Sequence, residues 1–453
     1  METILTVLTR ILWGPPVLAL FLGTGLYFTV RSRFFQLRWG TVLRGTFGSV
    51  RRAGSGDGAV SPLRTLSAAL GACMGTGNIA GVGTAIMSGG AGALFWMCVS
   101  AFFGMMTSFS ETVIAVRYRQ KDGRGQWVGG AMYALEKGLG MKKTAMLYAA
   151  LLTASSFGVG NMSQVNAAAS ALHGAFGVSP VFVGAVFCAL IALTVCGGFR
   201  RICAVTEKAV PLLSAVFLFC ALAALFVHRA AVPDALRQIW TDAWDLRAAA
   251  GGFAGSAVRV GVTRGVFSNE AGLGSTAVIH AAADTDSPVG QGLWGVVEVF
   301  LDTVLMCTFT GLVILTAGAA RPHRDGAELF ADALCVTFGK AGGVLTAVTL
   351  ALLGFASLTG WSYCGERGAA YLCGERRLIV YRALYAAAAF FGSFLPLDTV
   401  FRISDVLNCL TALPNLLCVW LLSGTVFSEL RRYKEQGIDL YSHHRIRKEK
   451  PSC

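Results

Sequence analysis

A chain of 453 residues that is 55% hydrophobic and only 14% charged, with mean hydropathy +0.61, is too apolar for an ordinary soluble domain. A net charge of +13 would suit nucleic acid in a soluble protein. Here the basic residues fall between long apolar runs, where they orient a membrane protein, so the lipid bilayer is the partner implied and nucleic acid is not.

Eleven windows can each supply the roughly 20 apolar residues of a spanning helix. They lie near 12–30, 63–89, 92–116, 146–172, 180–199, 208–227, 252–280, 289–317, 341–364, 378–395 and 405–428. Basic clusters follow the first window (Arg31 to Arg52), the third (Arg117 to Arg124), the fifth (Arg200, Arg201) and the ninth (Arg367, Arg376, Arg377), and recur in the tail from Arg431 to Lys450. Odd-numbered helices therefore end in the cytoplasm, with the N-terminus outside and the C-terminus inside the cell's plasma (inner) membrane. The loop after the sixth window balances Arg229, Arg237 and Arg247 against Asp234, Asp242 and Asp245, and the loop after the tenth carries Asp398 alone. Both suit the outside. The loop with Arg321, Arg324 and Lys340 is a mild exception, offset by Asp325, Glu328 and Asp332. Thirteen cysteines are scattered without zinc-binding spacing and read as small core residues.

The second window contains GACMGTGNIAGVG, Gly71–Gly83. Gly71, Gly75, Gly81 and Gly83 would serve close helix packing. Gly75-Thr76-Gly77-Asn78 goes further, since two poor helix formers, a hydroxyl and an amide at the middle of a span predict an unwound segment. The seventh window repeats the device at Phe267-Ser268-Asn269-Glu270-Ala271-Gly272. Broken helices five spans apart predict an all-α membrane protein of about eleven helices, one N-terminal helix preceding a five-plus-five inverted repeat. Its segments are the N-terminal helix and basic loop (1–60), the first repeat (61–228), the second repeat (251–428) and a basic tail (429–453).

Five stretches carry a resemblance: GTGNIAGVGTAIMSGGAGALFWMCVSAFFGMMTSFSE (Gly75–Glu111), GGAMYALEKGLG (Gly129–Gly140), GNMSQVNAAA (Gly160–Ala169), GVTRGVFSNEAGLGS (Gly261–Ser275) and GWSYCGER (Gly360–Arg367). They resemble the alanine or glycine:cation symporter family, within the amino acid-polyamine-organocation superfamily. The resemblance implies a leucine-transporter-like fold and uptake of a small neutral amino acid with sodium as coupling ion, without any other cofactor.

In that role, backbone N–H groups at Thr76, Gly77 and Asn78 would meet the substrate carboxylate, as half-helix N-termini favour anions. Carbonyls around Phe267 to Asn269, the Ser268 hydroxyl or a side-chain amide would take the ammonium. Asn161 and Gln164 share a helix face, with Asn166 displaced from it. These amides are either substrate contacts or interhelical glue. Phe267 and Trp361 are candidate pocket walls. By analogy with the fold, sodium would sit near the carbonyls of Gly71 and Met74 with Asn78 and a hydroxyl of the ninth helix. The family's Ser-Thr pair before GW is here Ala356-Ser357, which leaves Ser357 alone and weakens the expectation of sodium as sole coupling ion.

Ionisable residues at membrane depth are functional candidates by default. Arg264 and Glu270 flank the second break and suggest a gate or latch. Asp302 matches the family, whereas Glu298, one turn earlier, is expected to face water near the cytoplasmic end. The two acids leave a proton relay open, so proton coupling or a preference for serine is the alternative within the symporter class. A channel is disfavoured by the resemblance, and an enzyme by the lack of a nucleophile–base or metal constellation.

Overall fold

The computed structural model describes residues 7–9, 11–52, 60–244, 257–319 and 326–448. Asp245, Arg247, Arg321, Arg324 and Asp325 lie outside them. Helix α1 (Pro15–Arg31) starts on two prolines, whose missing N–H groups cost nothing in a first turn, and α2 (Trp39–Arg52) follows a left-handed Phe34. In α3 (Pro62–Cys73) the Ser61 hydroxyl caps the N-terminus by accepting from Arg64 N. A single 3-10 turn, Thr76–Asn78, separates it from α4 (Ala80–Gly89), and the two halves are bent by 60°. The second window is thus a broken span.

Next come α5 (Gly92–Arg117), a short ribbon of β1 (Gln120–Lys121) and β2 (Trp127–Val128), and α6 (Ala131–Leu139). Helices α7 (Lys142–Phe157) and α8 (Ser163–Phe176) are joined by a π-turn at Gly158–Met162. After α9 (Pro180–Val195) and α10 (Gly198–Val227), the amphipathic α11 (Val232–Ala243) lies on the surface. There Trp240 and Trp244 cluster with Phe95 and Trp96, an aromatic group of the kind found at membrane–water boundaries.

The seventh window divides into α12 (Ala257–Asn269) and the short α13 (Ser275–His280). The eighth is α14 (Pro288–Val299) and α15 (Thr308–Thr316) around a π-helical stretch, Phe300–Cys307. Then follow α16 (Gly326–Phe338), α17 (Lys340–Cys373), α18 (Leu378–Gly392), α19 (Leu397–Leu421) and the tail helix α20 (Ser423–Lys448). Among the described residues, five unbroken helical runs are long and apolar enough to cross a membrane, those within α5, α10, α14–α15, α17 and α19, and the bent α3–α4 pair makes a sixth candidate. Hydropathy sees neither the π-turns nor a start of the last span at Leu397 rather than 405.

The broken spans are central. Helix α12 packs on α5, α14 on the same helix, α10 on α3, and α17 on both α7 and α8. Gly83 has a packing role, because a Cβ there would overlap the carbonyl of Gly326 at the start of α16. Gly75 belongs to the break.

Candidate functional site

The α3 ladder stops for a local reason. Met74 N still reaches back to Leu70 O at 2.7 Å, but Gly75 N turns to Cys73 O at 2.8 Å, so the ladder no longer returns to Gly71. Gly75 is extended (φ −117°, ψ −151°) and Ile79 is distorted (φ −113°, ψ −68°), which leaves Thr76–Asn78 as an isolated turn at the N-terminus of α4. Gln164 of α8 holds it, its Oε1 accepting from Thr76 N at 2.9 Å and from Thr76 Oγ1 at 3.0 Å. A Cβ at Gly75 would fall 2.5 Å from that same oxygen and 3.0 Å from Ser357 Cβ. Gly77 faces Phe267 and Ser268, which are still helical at the end of α12, so the second span unwinds after Asn269 and not at Phe267 as the sequence suggests.

Residues 270–274 form the second break, with Glu270, Gly272 and Gly274 all at positive φ. Glu270, at φ +56°, is the only non-glycine of the three, and its carboxylate accepts from Ser275 Oγ at 2.5 Å and Trp361 Nε1 at 2.6 Å. A strained conformation persists where surroundings over-determine it, and these two bonds do so. Carbonyls freed by the break are met as well. Tyr148 OH donates to Leu273 O at 3.0 Å, and Asn415 Nδ2 donates to Gly272 O at 2.9 Å and also to Glu111.

Asp302, in the π-helical stretch, joins the two breaks. Asn78 Nδ2 donates to its carbonyl at 2.9 Å and to Oδ1 at 2.8 Å, while Ser268 Oγ and Thr303 Oγ1 each donate to Oδ2 at 2.7 Å. All four residues are fully buried. Asn78 Oδ1 is buried without a hydrogen-bond partner, an acceptor at the meeting point of both breaks.

Other expected site residues are placed elsewhere. Asn161 Nδ2 donates to Tyr385 O at 2.6 Å, and Asn166 Nδ2 to Gly392 O and Leu395 O, so both tie α7–α8 to the region of α18 while only Gln164 touches a break. Asn269 Oδ1 accepts from Ala271 N within its own break. Phe267 lies against Phe401, with ring centroids 5.7 Å apart, and Trp361 packs over Gly160. Ser357 Oγ donates to Ala72 O at 2.6 Å, and Thr359 turns back to Phe355 O.

Arg264 and Glu270 do not pair with each other. The guanidinium instead meets Asp405 of α19 at 2.7 Å, above the rings of Phe267 and Phe401. Glu298 does not face water either; it is fully buried and 2.8 Å from His280. A solvent-facing position was expected because the window edge is near, but α14 packs on α3 and α5 there. Asp405, His280, Gln291 and Asn415 join these contacts without having stood out in the sequence, yet each is a polar residue in an apolar window, and an ionisable group at membrane depth is a functional candidate at Asp405 as much as at Arg264.

The family model for the sodium:alanine symporter family matches residues 1–445. The sodium/alanine symporter AgcS of Methanococcus maripaludis is 40% identical, covering 93% of this chain and 95% of its own. An uncharacterised transporter of Haemophilus influenzae is 38% identical over 95% of this chain and 96% of its own. Among solved structures, MhsT in complex with L-phenylalanine superposes with a TM-score of 0.57 at 17% identity, covering 82% of this chain and 92% of that one, which shows a shared, leucine-transporter-like fold. With a family match over nearly its whole length and relatives at this identity, the chain belongs to the sodium:alanine symporter family.

Proposed function

We propose that this transporter carries a small neutral amino acid, alanine or glycine, into the cell with sodium by alternating access. Sodium-coupled amino acid symport follows from the family, and the substrate reading rests on the site. The observation that carries it is the convergence of both helix breaks on Asp302 and Asn78, fully buried and midway along their spans. The carboxylate is received at Gly77 and Asn78 and, in exchange for Gln164 Oε1, at the Thr76 N–H, where α4 begins and its dipole favours an anion. Carbonyls near Phe267 to Asn269 and the Ser268 hydroxyl take the ammonium. Phe267 and Trp361 limit the side chain, and Asn161 and Asn166 act from behind by holding α18.

Sodium is the second cargo. Carbonyls at the end of α3 near Gly71 and Met74, the Ser357 hydroxyl and the unpartnered Asn78 Oδ1 supply hard oxygens without a dedicated acid. Arg264 and Asp405, capping Phe267 and Phe401, form the outer gate. Glu270, latched to Ser275 and Trp361, braces the second break. The segments 61–228 and 251–428 act as inverted halves around this point, in the plasma membrane with the N-terminus outside and the tail inside, as the distribution of basic residues favours.

Uptake of radiolabelled glycine, L-alanine and D-alanine into proteoliposomes tests this under an imposed sodium gradient, a proton gradient, or neither. Accumulation above equilibrium with sodium alone is expected. Uptake indifferent to sodium would reject the coupling, and exclusion of glycine and both alanines would reject the substrate class.

A further inference from the structure

His280 and Glu298 are both fully buried, with His280 Nε2 2.8 Å from Glu298 Oε2. On its other side His280 Nδ1 lies 2.8 Å from Gln291 Nε2, which also donates to Thr65 Oγ1 at 3.1 Å. Neither the substrate site nor the ion site uses these four residues. Among the described residues no three His, Cys, Asp or Glu side chains converge to hold a metal ion.

With the Gln291 amide nitrogen set against Nδ1, one ring tautomer completes both contacts. The Gln291 amide donates, so Nδ1 accepts, and Nε2 carries the ring's one proton and gives it to Glu298. With the Glu298 carboxyl ionised, that arrangement places a net charge of −1 in a buried position. The Oε1 atoms of both Glu298 and Gln291 lack partners. A buried charge without compensation costs several kcal/mol at least, whereas one added proton gives an electrically balanced pair.

The surroundings accept that proton without moving the backbone. Rotating the Gln291 amide by half a turn presents its oxygen to a protonated Nδ1. The Thr65 hydroxyl, now donating to Pro62 O at 2.8 Å, can turn to donate to the same oxygen. Titratable groups within electrostatic reach of Glu298 include Cys73 on α3, whose thiol also approaches the carboxylate, Glu111 on α5, Cys364 on α17, Glu270 across the break and Asp302 one turn on. None of these five is basic.

We propose that His280 and Glu298 form a proton-binding site, reached from the side that the basic residues assign to the cytoplasm, whose loading biases the second helix break. The proton comes from water, binds at Nδ1 or passes through the Nε2 contact to the carboxylate, and leaves by the reverse route. The site is placed to couple: His280 ends the short helix that follows the break, and Glu298 precedes the Asp302 that joins both breaks. Its consequence for transport rests on the symport reading above, but the site itself does not.

Nitrogen-15 NMR of the full-length protein labelled at its six histidines tests it without any substrate. His280 is identified by the His280→Gln variant, or in wild type as the ring shielded from a water-soluble paramagnetic ion. Its Nδ1 is expected to be bare at the alkaline end and protonated at the acid end of the pH range over which the protein stays folded, and Glu298→Gln should abolish that change within the range. An Nδ1 unchanged across the range in wild type would overturn the proposal. In proteoliposomes at saturating sodium, alanine exchange should vary with pH by at least about threefold in wild type and lose that dependence in Glu298→Gln. A profile unaltered by a folded Glu298→Gln would overturn the link to transport, while absence of alanine exchange would reject the substrate reading and leave the NMR result standing.

Discussion

Asp302 accepts from Asn78, Ser268 and Thr303 at once, so three donors from three segments depend on one carboxylate. Hydrogen bonds to a charged group contribute roughly 1.5–3 kcal/mol each, and an amide of the same shape keeps the geometry while removing the charge. Asp302→Asn is therefore expected to lower initial uptake by about ten- to a hundredfold with folding preserved, as judged by gel filtration and melting in detergent. Uptake within about twofold of wild type would show that the junction does not need a charge. Ser357 is a weaker case, a single neutral oxygen beside the end of α3. Ser357→Ala should raise the sodium concentration for half-maximal uptake about fivefold, equivalent to about 1 kcal/mol, and leave alanine saturation at high sodium unchanged. An unchanged sodium requirement would remove Ser357 from the ion site.

At the scale of elements, the backbone of the first break gives a contrast within one turn. A methyl at Gly75 would strike Gln164 Oε1 and crowd Ser357, whereas a methyl at Gly77 would meet Phe267 no closer than 3.4 Å, an ordinary contact. Gly75→Ala should abolish uptake and Gly77→Ala should retain a large part of it, and the reverse order would mean that the turn is not built as described. The outer gate is a second test. Arg264 and Asp405 are nearly buried, at 13% and 5% exposure, so either single change takes away the other's directly bonded counter-charge, at a cost of up to about 3–5 kcal/mol, although Arg259 and Arg402 also lie within reach of Asp405. The double variant Arg264→Gln with Asp405→Asn should melt closer to wild type than either single variant, and additive losses would deny the pairing.

The breaks themselves were legible because glycine and polar side chains inside an apolar run contradict the surrounding solvent. The pairing of Arg264 was not, since Glu270 is six positions away and Asp405 is a hundred and more. Local spacing says nothing about which distant helix an ion pair chooses. The π-helical stretch around Asp302 was hidden for a different reason: one extra residue in a turn changes where side chains point but not how apolar they are. That shift made the simple i, i+4 reading of Glu298 and Asp302 incomplete, and Glu298 found His280 instead.

For the whole molecule, the decisive property is coupling between two cargoes that share one turn of backbone. If Asn78 lies between substrate and ion, each ordering the Thr76–Asn78 turn, then sodium must tighten alanine binding, and thermodynamic linkage requires alanine to tighten sodium binding by the same factor. A coupling of about tenfold corresponds to about 1.4 kcal/mol, within the range such couplings span. Titrating purified protein with alanine at several fixed sodium concentrations, and with sodium at several alanine concentrations, should give equal factors, with potassium as the indifferent control. Melting temperature should rise more with both cargoes than the separate shifts predict, because ligands that bind only the folded state stabilise it by mass action. Asn78→Ala should weaken both affinities and bring the coupling factor toward one. Gly77→Ala, which spares every side chain at the junction, should leave the factor nearly intact. An alanine affinity in wild type that ignores sodium would mean the two cargoes occupy independent sites, and the convergence of the breaks on Asp302 would then serve the fold rather than the transport cycle.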